Sequence, residues 1–301
     1  MIETTVRTGL VGAGPWATVM HAPLLAGGPG TSLEAVWARR EDAATELAQQ
    51  YGASVAGSFD ELLERCDAVA FAVPPDVQAA LAVRAAEAGR HLLLEKPVAT
   101  TLADAERLAA AVDRGGVQSQ VVLTIRYRPA VRAFLRGVAA ETVTYVRGSC
   151  VGPGALPGSP FATPWRQSSG AALLDVGPHT FDLLEAVAGP ITEVRAAARG
   201  GVTTASTVHR HGAVGQVALS VTTPDGPGGV NLDVVTDHGF VTMPSAPADE
   251  ASVWRAITEE LAHSIESGEP HPLDVHHGVR LQRVLEAAAR SVGTGHPVLL
   301  P

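Results

Sequence analysis

The stretch GRHLLLEKPVAT, residues 89–100, sets Glu95, Lys96 and Pro97 directly after three leucines. The leucines read as a buried strand, and α/β proteins bind ligands at the carboxyl ends of their strands. Ionisable groups at such a tip are placed for chemistry. Glu95 either orients Lys96 or forms a surface pair with it. A second stretch, GAGPWA, puts Gly12 and Gly14 after a short apolar run, with Pro15 and Trp16 next and Ala17 at the third place of a G-x-G-x-x-G/A pattern. Gly12 permits a tight turn, Gly14 lets backbone approach a pyrophosphate, and the first amides of the following helix can bind it. No P-loop lysine follows. In a third stretch, WARRE, Ala38 stands where a dinucleotide site usually carries an acid for the ribose 2'-hydroxyl, and Arg39 and Arg40 come next. Arginine there accommodates a 2'-phosphate, so the expected cofactor is NADP, with NAD as the alternative. The other reading of the two arginines is a solvated pair.

Such residues need strands and helices behind them. VRTGLVGAGPWA and TSLEAVWARR read as strands joined through a helical stretch, one β-α-β unit. A helix over about residues 41–51, stopped by Gly52, leads to a short strand near Val55, then SFDELLERC and the strand DAVAFAV repeat the alternation. Asp76 is expected to cap a helix that Gly89 ends, because an Asx side chain accepts from free amides and glycine takes the left-handed cap. After EKP, Thr101 and Asp104 form a capping-box pattern ahead of apolar residues at helical spacing. This alternation predicts a doubly wound parallel sheet, with a domain boundary near residue 121. Beyond it TVTYVRGSCV, ITEVRAAA, VTTASTVHR, AVGQVALSVTT, GVNLDVVT and GFVTM follow as strands in close succession, which suits a large, mostly antiparallel sheet. Two amphipathic stretches, 254–266 and 275–290, then cover that sheet or return to the first domain. GPGALPGSP reads as a loop.

With 301 residues, 46% of them apolar, and a mean hydropathy of +0.15, the chain can fill two cores. Its net charge of −9, from 22 basic and 31 acidic side chains scattered along it, argues against a nucleic-acid or anionic-membrane surface. No stretch of about 18 uncharged apolar residues occurs, and with an acid at Glu3 and no long apolar run in MIETTVRTGLVG, export is not expected. Cys66 and Cys150 read as reduced core residues of a cytoplasmic protein. HRH (His209, His211) and HPLDVHH (His271, Asp274, His276, His277) lack a third ligand set at matching spacing, so no metal is expected. Neither a G-x-S-x-G elbow nor an H-E-x-x-H helix is present to support a hydrolase.

Taken with GAALLDVGPHTFDLLEAVAG, residues 170–189, the GAGPWA and EKP stretches resemble the glucose-fructose oxidoreductase and inositol dehydrogenase family, Gfo/Idh/MocA. HAPLL, RYRPAVRAF, PWRQSSGAALLDVGPH and LQRVLEAAARSVGTGHPV extend the resemblance over nearly the whole chain. It implies a Rossmann dinucleotide-binding domain, residues 1–121, and a C-terminal α+β domain, residues 122–301, for substrate and oligomer contacts. The implied activity is an NAD(P)-dependent oxidoreductase working on an alcohol/ketone pair of a sugar, cyclitol or related polyol. A non-catalytic dinucleotide-binding regulator of the same fold is the alternative.

Lys96 matches the family's catalytic lysine, and Asp175 and His179 its D-x-G-x-H pair; Lys96–Pro97 is expected to be cis. Gly12, Gly14, Pro15, Trp16, Arg39, Arg40, Pro74 and Glu95 are the cofactor candidates. Arg126, Tyr127, Trp165 and Arg166 match positions that often border the family's cleft, although packing would account for them equally. Gln78 departs from the family, standing where many relatives carry histidine after PP. On a helical backbone Asp175 and His179, four apart, would share a face, with Pro178 distorting the turn. A homodimer or homotetramer through the C-terminal sheet is expected, with a small molecule as the other partner.

Overall fold

Strand β1, Val6–Val11, is buried at every position but one because helices cover both faces of its sheet. It belongs to a parallel sheet with β2 (Thr31–Trp37), β3 (Ser54–Val55), β4 (Ala68–Phe71), β5 (His91–Leu94) and β6 (Ser119–Val121), in the order β3-β2-β1-β4-β5-β6. The computed structural model describes residues 5–168, 170–245 and 249–301. They group into two units: the chain up to Val122 with Asp249–Val279, and the chain from Leu123 with Arg280–Pro301.

In the first unit the strands alternate with α1 (Ala22–Gly27), α2 (Glu41–Tyr51), α3 (Phe59–Arg65), α4 (Pro75–Glu87) and α5 (Leu102–Gly115). Their ends follow from local chemistry. Ser58 accepts from the Glu61 amide to start α3, and Thr101 accepts from the Asp104 amide at 3.1 Å to start α5. Gly52 and Gly116 close α2 and α5 in the left-handed region. At α4 the expected Asp76 cap is corrected: Pro74 holds the cap position and Pro75 opens the helix. Proline lacks the amide that the first turn leaves unbonded anyway, so Asp76 falls inside that turn, where its charge suits the helix dipole. The order of connection reverses between β1 and β4, which makes the ends of these two strands the switch point of the sheet.

The second unit holds α6 (Pro129–Val138), β7 (Val143–Val151), α7 (Ala171–Asp175), α8 (Gly177–Ala188), β8 (Ile191–Arg199), β9 (Val202–His209), β10 (Val214–Ser220), β11 (Asn231–Thr236) and β12 (Gly239–Thr242). With β13 (Val298–Leu299), the strands are ordered β12-β11-β7-β10-β9-β8-β13. All neighbours are antiparallel except β7 and β10. Burial alternates along β9, as expected of a sheet with one covered and one open face. Helix α8 covers the packed face so closely that a Cβ on Gly148 of β7 would lie 2.6 Å from Leu184. Helix α9 (Glu250–Ser267) belongs to the first unit, where Gln120 Nε2 donates to the Ile257 carbonyl. Helix α10 (Val275–Thr294) starts in the first unit and continues in the second. Cys66 and Cys150 are free and buried, and burial pushes the Cys66 thiol up to about 11. Among the described residues no helix is long and apolar enough to cross a membrane.

Candidate functional site

The first unit carries a cleft of about 580 Å³ at the switch point, lined by Gly12, Gly14, Ala38, Arg39, Arg40 and Pro74 among others. Gly12 follows β1 with φ +115°, and a Cβ there would come within 2.5 Å of the Ala72 carbonyl oxygen, so only glycine fits. A Cβ on Gly14 would meet nothing within 4 Å, which leaves its backbone open toward the cleft. At the end of β2 Ala38 is half-buried, and Arg39 and Arg40 are exposed with no carboxylate partner among the described residues. Glycine backbone open to the cleft, a helix N-terminus after it and two unneutralised guanidinium groups suit the charge and shape of a dinucleotide.

The helix after Gly14 passes through a π-helical turn, Ala17–His21, before α1. Pro23, in the first turn of α1, has no amide to close an i→i−4 bond on Val19, a local reason for the wider turn. Pro15 is exposed. Trp16 and His21 reach one oxygen across 79 and 74 residues of sequence: Trp16 Nε1 donates to Glu95 Oε1 at 2.7 Å, and His21 Nε2 lies 2.8 Å from it. The indole that reads from sequence as a cofactor candidate therefore has an intramolecular acceptor. His21 is fully buried, and with its proton on Nε2 it donates to the carboxylate. Its Nδ1 has no hydrogen-bond partner among the described residues. Glu95 is 7% exposed, so it is no surface residue. Burial pushes its carboxyl up, but the His21 and Trp16 hydrogen bonds and the nearby Lys96 charge outweigh this and hold it below the ordinary carboxylate range.

The Lys96–Pro97 peptide is cis. The turn that contains it is held by Gln78 of α4, whose side chain is completely buried. Gln78 Nε2 donates to the carbonyls of Glu95, Pro97 and Val98 at 2.8, 3.2 and 3.2 Å, and Gln78 Oε1 accepts from the Glu95 amide at 2.8 Å. The Lys96 amide donates to Glu95 Oε2 at 3.2 Å. From sequence Gln78 reads only as a departure from the family, and His21 only as part of HAPLL. Neither pattern announces its tertiary partner.

In the second unit the distortion expected at Pro178 divides the helix, so Asp175 and His179 do not share the face of one unbroken helix. Asp175 ends α7, Val176 breaks the path with φ −109° and ψ −14°, and His179 lies in the first turns of α8. The cause is Pro178, which cannot supply the amide that would bond to Leu174 and instead takes a place at the start of a new helix. Asp175 accepts from Arg166 Nε at 2.9 Å, and the Arg166 guanidinium also stacks 4.6 Å from the Trp165 ring. Arg166, Trp165 and Asp175 thus form one group, and His179 is half-buried. Arg126 donates to the buried Asp182 at 2.7 Å. Tyr127 is 1% exposed with the Arg132 guanidinium 5.1 Å above its ring, a packing environment. The histidine clusters make ordinary contacts: His209 lies 2.6 Å from the Gly189 carbonyl, His271 pairs with Glu260 and His276 with Asp113.

Residues 6–123 match the profile of an oxidoreductase family with an NAD-binding Rossmann fold, and residues 130–242 match a GFO/IDH/MocA C-terminal domain. Over 198 residues the chain is 32% identical to a dTDP-3,4-didehydro-2,6-dideoxy-alpha-D-glucose 3-reductase of Streptomyces violaceoruber, a match covering 64% of this chain and 57% of the relative. It is 34% identical over 145 residues to a galactose 1-dehydrogenase of Pseudomonas fluorescens, covering 47% and 44% of the two chains. The match thus spans about half the length of these relatives. In fold the protein is similar to GenD2 of gentamicin A biosynthesis, solved in complex with NAD, at a TM-score of 0.89 and 24% identity, covering 100% of this chain and 98% of that one. It is also similar to levoglucosan dehydrogenase in complex with NADH, at a TM-score of 0.86 and 18% identity, covering 99% and 100%.

Proposed function

Because the chain belongs to the Gfo/Idh/MocA family of oxidoreductases, we propose that it is an NAD(P)-dependent dehydrogenase or reductase for the alcohol/ketone pair of a sugar, cyclitol or related polyol. The observation that carries this reading is the first unit's combination of a dinucleotide cleft with a firmly held turn bearing Lys96. Gly12, Gly14 and the helix N-terminus would hold the pyrophosphate, and Arg39, assisted by Arg40, a 2'-phosphate, which makes NADP the preferred cofactor. The bound nicotinamide supplies the hydride donor or acceptor.

The chain's own residues handle the oxygen and its proton. Lys96 hydrogen-bonds the substrate oxygen and favours the negative charge that develops there. His179, whose imidazole can both give and accept a proton, exchanges the hydroxyl proton as general acid or base. Asp175, held by Arg166, orients the substrate or the histidine. Retention of all three residues favours turnover over the regulator alternative. A screen of polyols and keto sugars against both cofactors, read by absorbance of the reduced nicotinamide, tests the assignment; cofactor binding without turnover on any member of the panel would favour the regulator.

The open face of the second sheet supports a homodimer or homotetramer. Phe240, Val235, Tyr145, Val214 and Val208 lie opposite one another in sequence across β12, β11, β7, β10 and β9, an apolar row across five neighbouring strands. Phe240 is 62% exposed, so association with a second copy would bury apolar surface. The free buried cysteines suit a cytoplasmic enzyme.

A further inference from the structure

Backbone groups of a strand are satisfied by its neighbours, but β5 stops at Leu94, and the next residues turn away from the ladder. A buried turn must find other partners for its amides and carbonyls. Here one side chain from a different element provides them. The Gln78 amide group offers two hydrogens and a carbonyl oxygen, and each of these is directed to residues 95–98: the NH₂ to the Glu95, Pro97 and Val98 carbonyls, the oxygen to the Glu95 amide. Lys96 lies inside this bracket. Because α4 is rooted at the switch point by Pro74 and Pro75, the bracket ties the lysine's backbone to an element that also lines the dinucleotide cleft through Val77, Ala80 and Leu81.

We propose that Gln78 is a positioning residue for Lys96, setting the backbone from which the amine is presented to the substrate oxygen. The inference rests on the reading of Lys96 given above. It differs from ordinary core satisfaction in its demand on chemistry: a side chain of similar length without donors and acceptors fills the space but cannot set the turn. Positions that must be held within about half an ångström lose rate, not cofactor affinity, when their support is removed.

The test compares Gln78→Met, Gln78→Glu and Lys96→Ala with the unaltered protein, by steady-state kinetics on a substrate from the screen, calorimetric cofactor binding and amide hydrogen exchange. Gln78→Met keeps volume and removes all four bonds; Gln78→Glu keeps shape and removes the donors. Both are expected to lower kcat at least tenfold while the cofactor Kd moves less than twofold, and in Gln78→Met the Glu95 amide is expected to exchange at least tenfold faster while those of Leu92 and Leu93 stay protected. If Gln78→Glu does not fold, Gln78→Met decides alone. Unchanged kcat in a folded Gln78→Met, with Lys96→Ala inactive, overturns the positioning role and leaves the lysine assignment standing. Unchanged Glu95 exchange in Gln78→Met overturns it without reference to activity. Full turnover by Lys96→Ala overturns the lysine reading itself, and the proposal with it.

Discussion

Gly12 and Gly14 are separated by one residue, yet the structure assigns them different penalties for a side chain. At Gly12 a Cβ meets the Ala72 carbonyl at 2.5 Å and the positive φ adds strain of about 1 to 3 kcal/mol. Gly12→Ala is therefore expected both to lower Tm by several degrees and to weaken cofactor binding at least tenfold. Gly14→Ala, with nothing within 4 Å of its new methyl, should keep the fold and lose only cofactor affinity. Thermal melts and calorimetric titrations of the pair separate the two effects, and equal Tm losses would contradict the account. Arg39 supplies a second test. If it contacts a 2'-phosphate, charge-assisted bonds of about 1.5 to 3 kcal/mol favour NADP over NAD by tenfold or more, and Arg39→Ala should erase much of that. Equal affinity of the unaltered protein for both would leave Arg39 and Arg40 as a solvated pair. That these residues line one cleft was legible because glycine geometry and charge act locally. The Trp16–Glu95 contact was not, since nothing in a 79-residue separation encodes which carboxylate an indole will reach.

At the scale of elements, helix ends followed the sequence where one side chain or one glycine governs them, as at Thr101 and Gly116. They departed from it at α4, where Pro74 and Pro75 displace the expected Asp76 cap, whereas the α7–α8 break falls where Pro178 was expected to distort the turn. The lysine turn depends on a network invisible in sequence, and its carboxylate gives a prediction. Because the Glu95 carboxyl is held below its unfolded value of about 4.3, its ionisation stabilises the fold fully above that pH, and the contribution disappears as pH falls through the lower folded value. Glu95→Gln should thus be less stable than the unaltered protein at neutral pH, and the gap should narrow below about pH 4. Chemical denaturation of both proteins across that range measures it; a gap that widens on acidification contradicts the assigned direction.

For the whole molecule, alternating strands and helices followed by a run of strands were enough to read a parallel sheet and a separate, mostly antiparallel one. The parallel pairing of β7 with β10 was not readable, because strand adjacency across a sheet depends on contacts between segments far apart in the chain. The apolar row on the open sheet predicts association: light scattering at micromolar concentration should report a multiple of 31.0 kDa, and Phe240→Asp should shift it toward the single chain. A 31.0 kDa species alone in the unaltered protein would exclude the oligomer. The glycine loop is proposed to hold the cofactor, and Lys96 and His179 to carry the chemistry. The most direct measurement of this is turnover and NADP affinity on the same preparations of the unaltered protein, Lys96→Ala and His179→Ala. Both variants are expected to lose turnover by about a hundredfold or more with NADP affinity nearly unchanged. Near-normal turnover in both would contradict the assignment, and parallel loss of NADP binding in Lys96→Ala would place that lysine in the dinucleotide site instead.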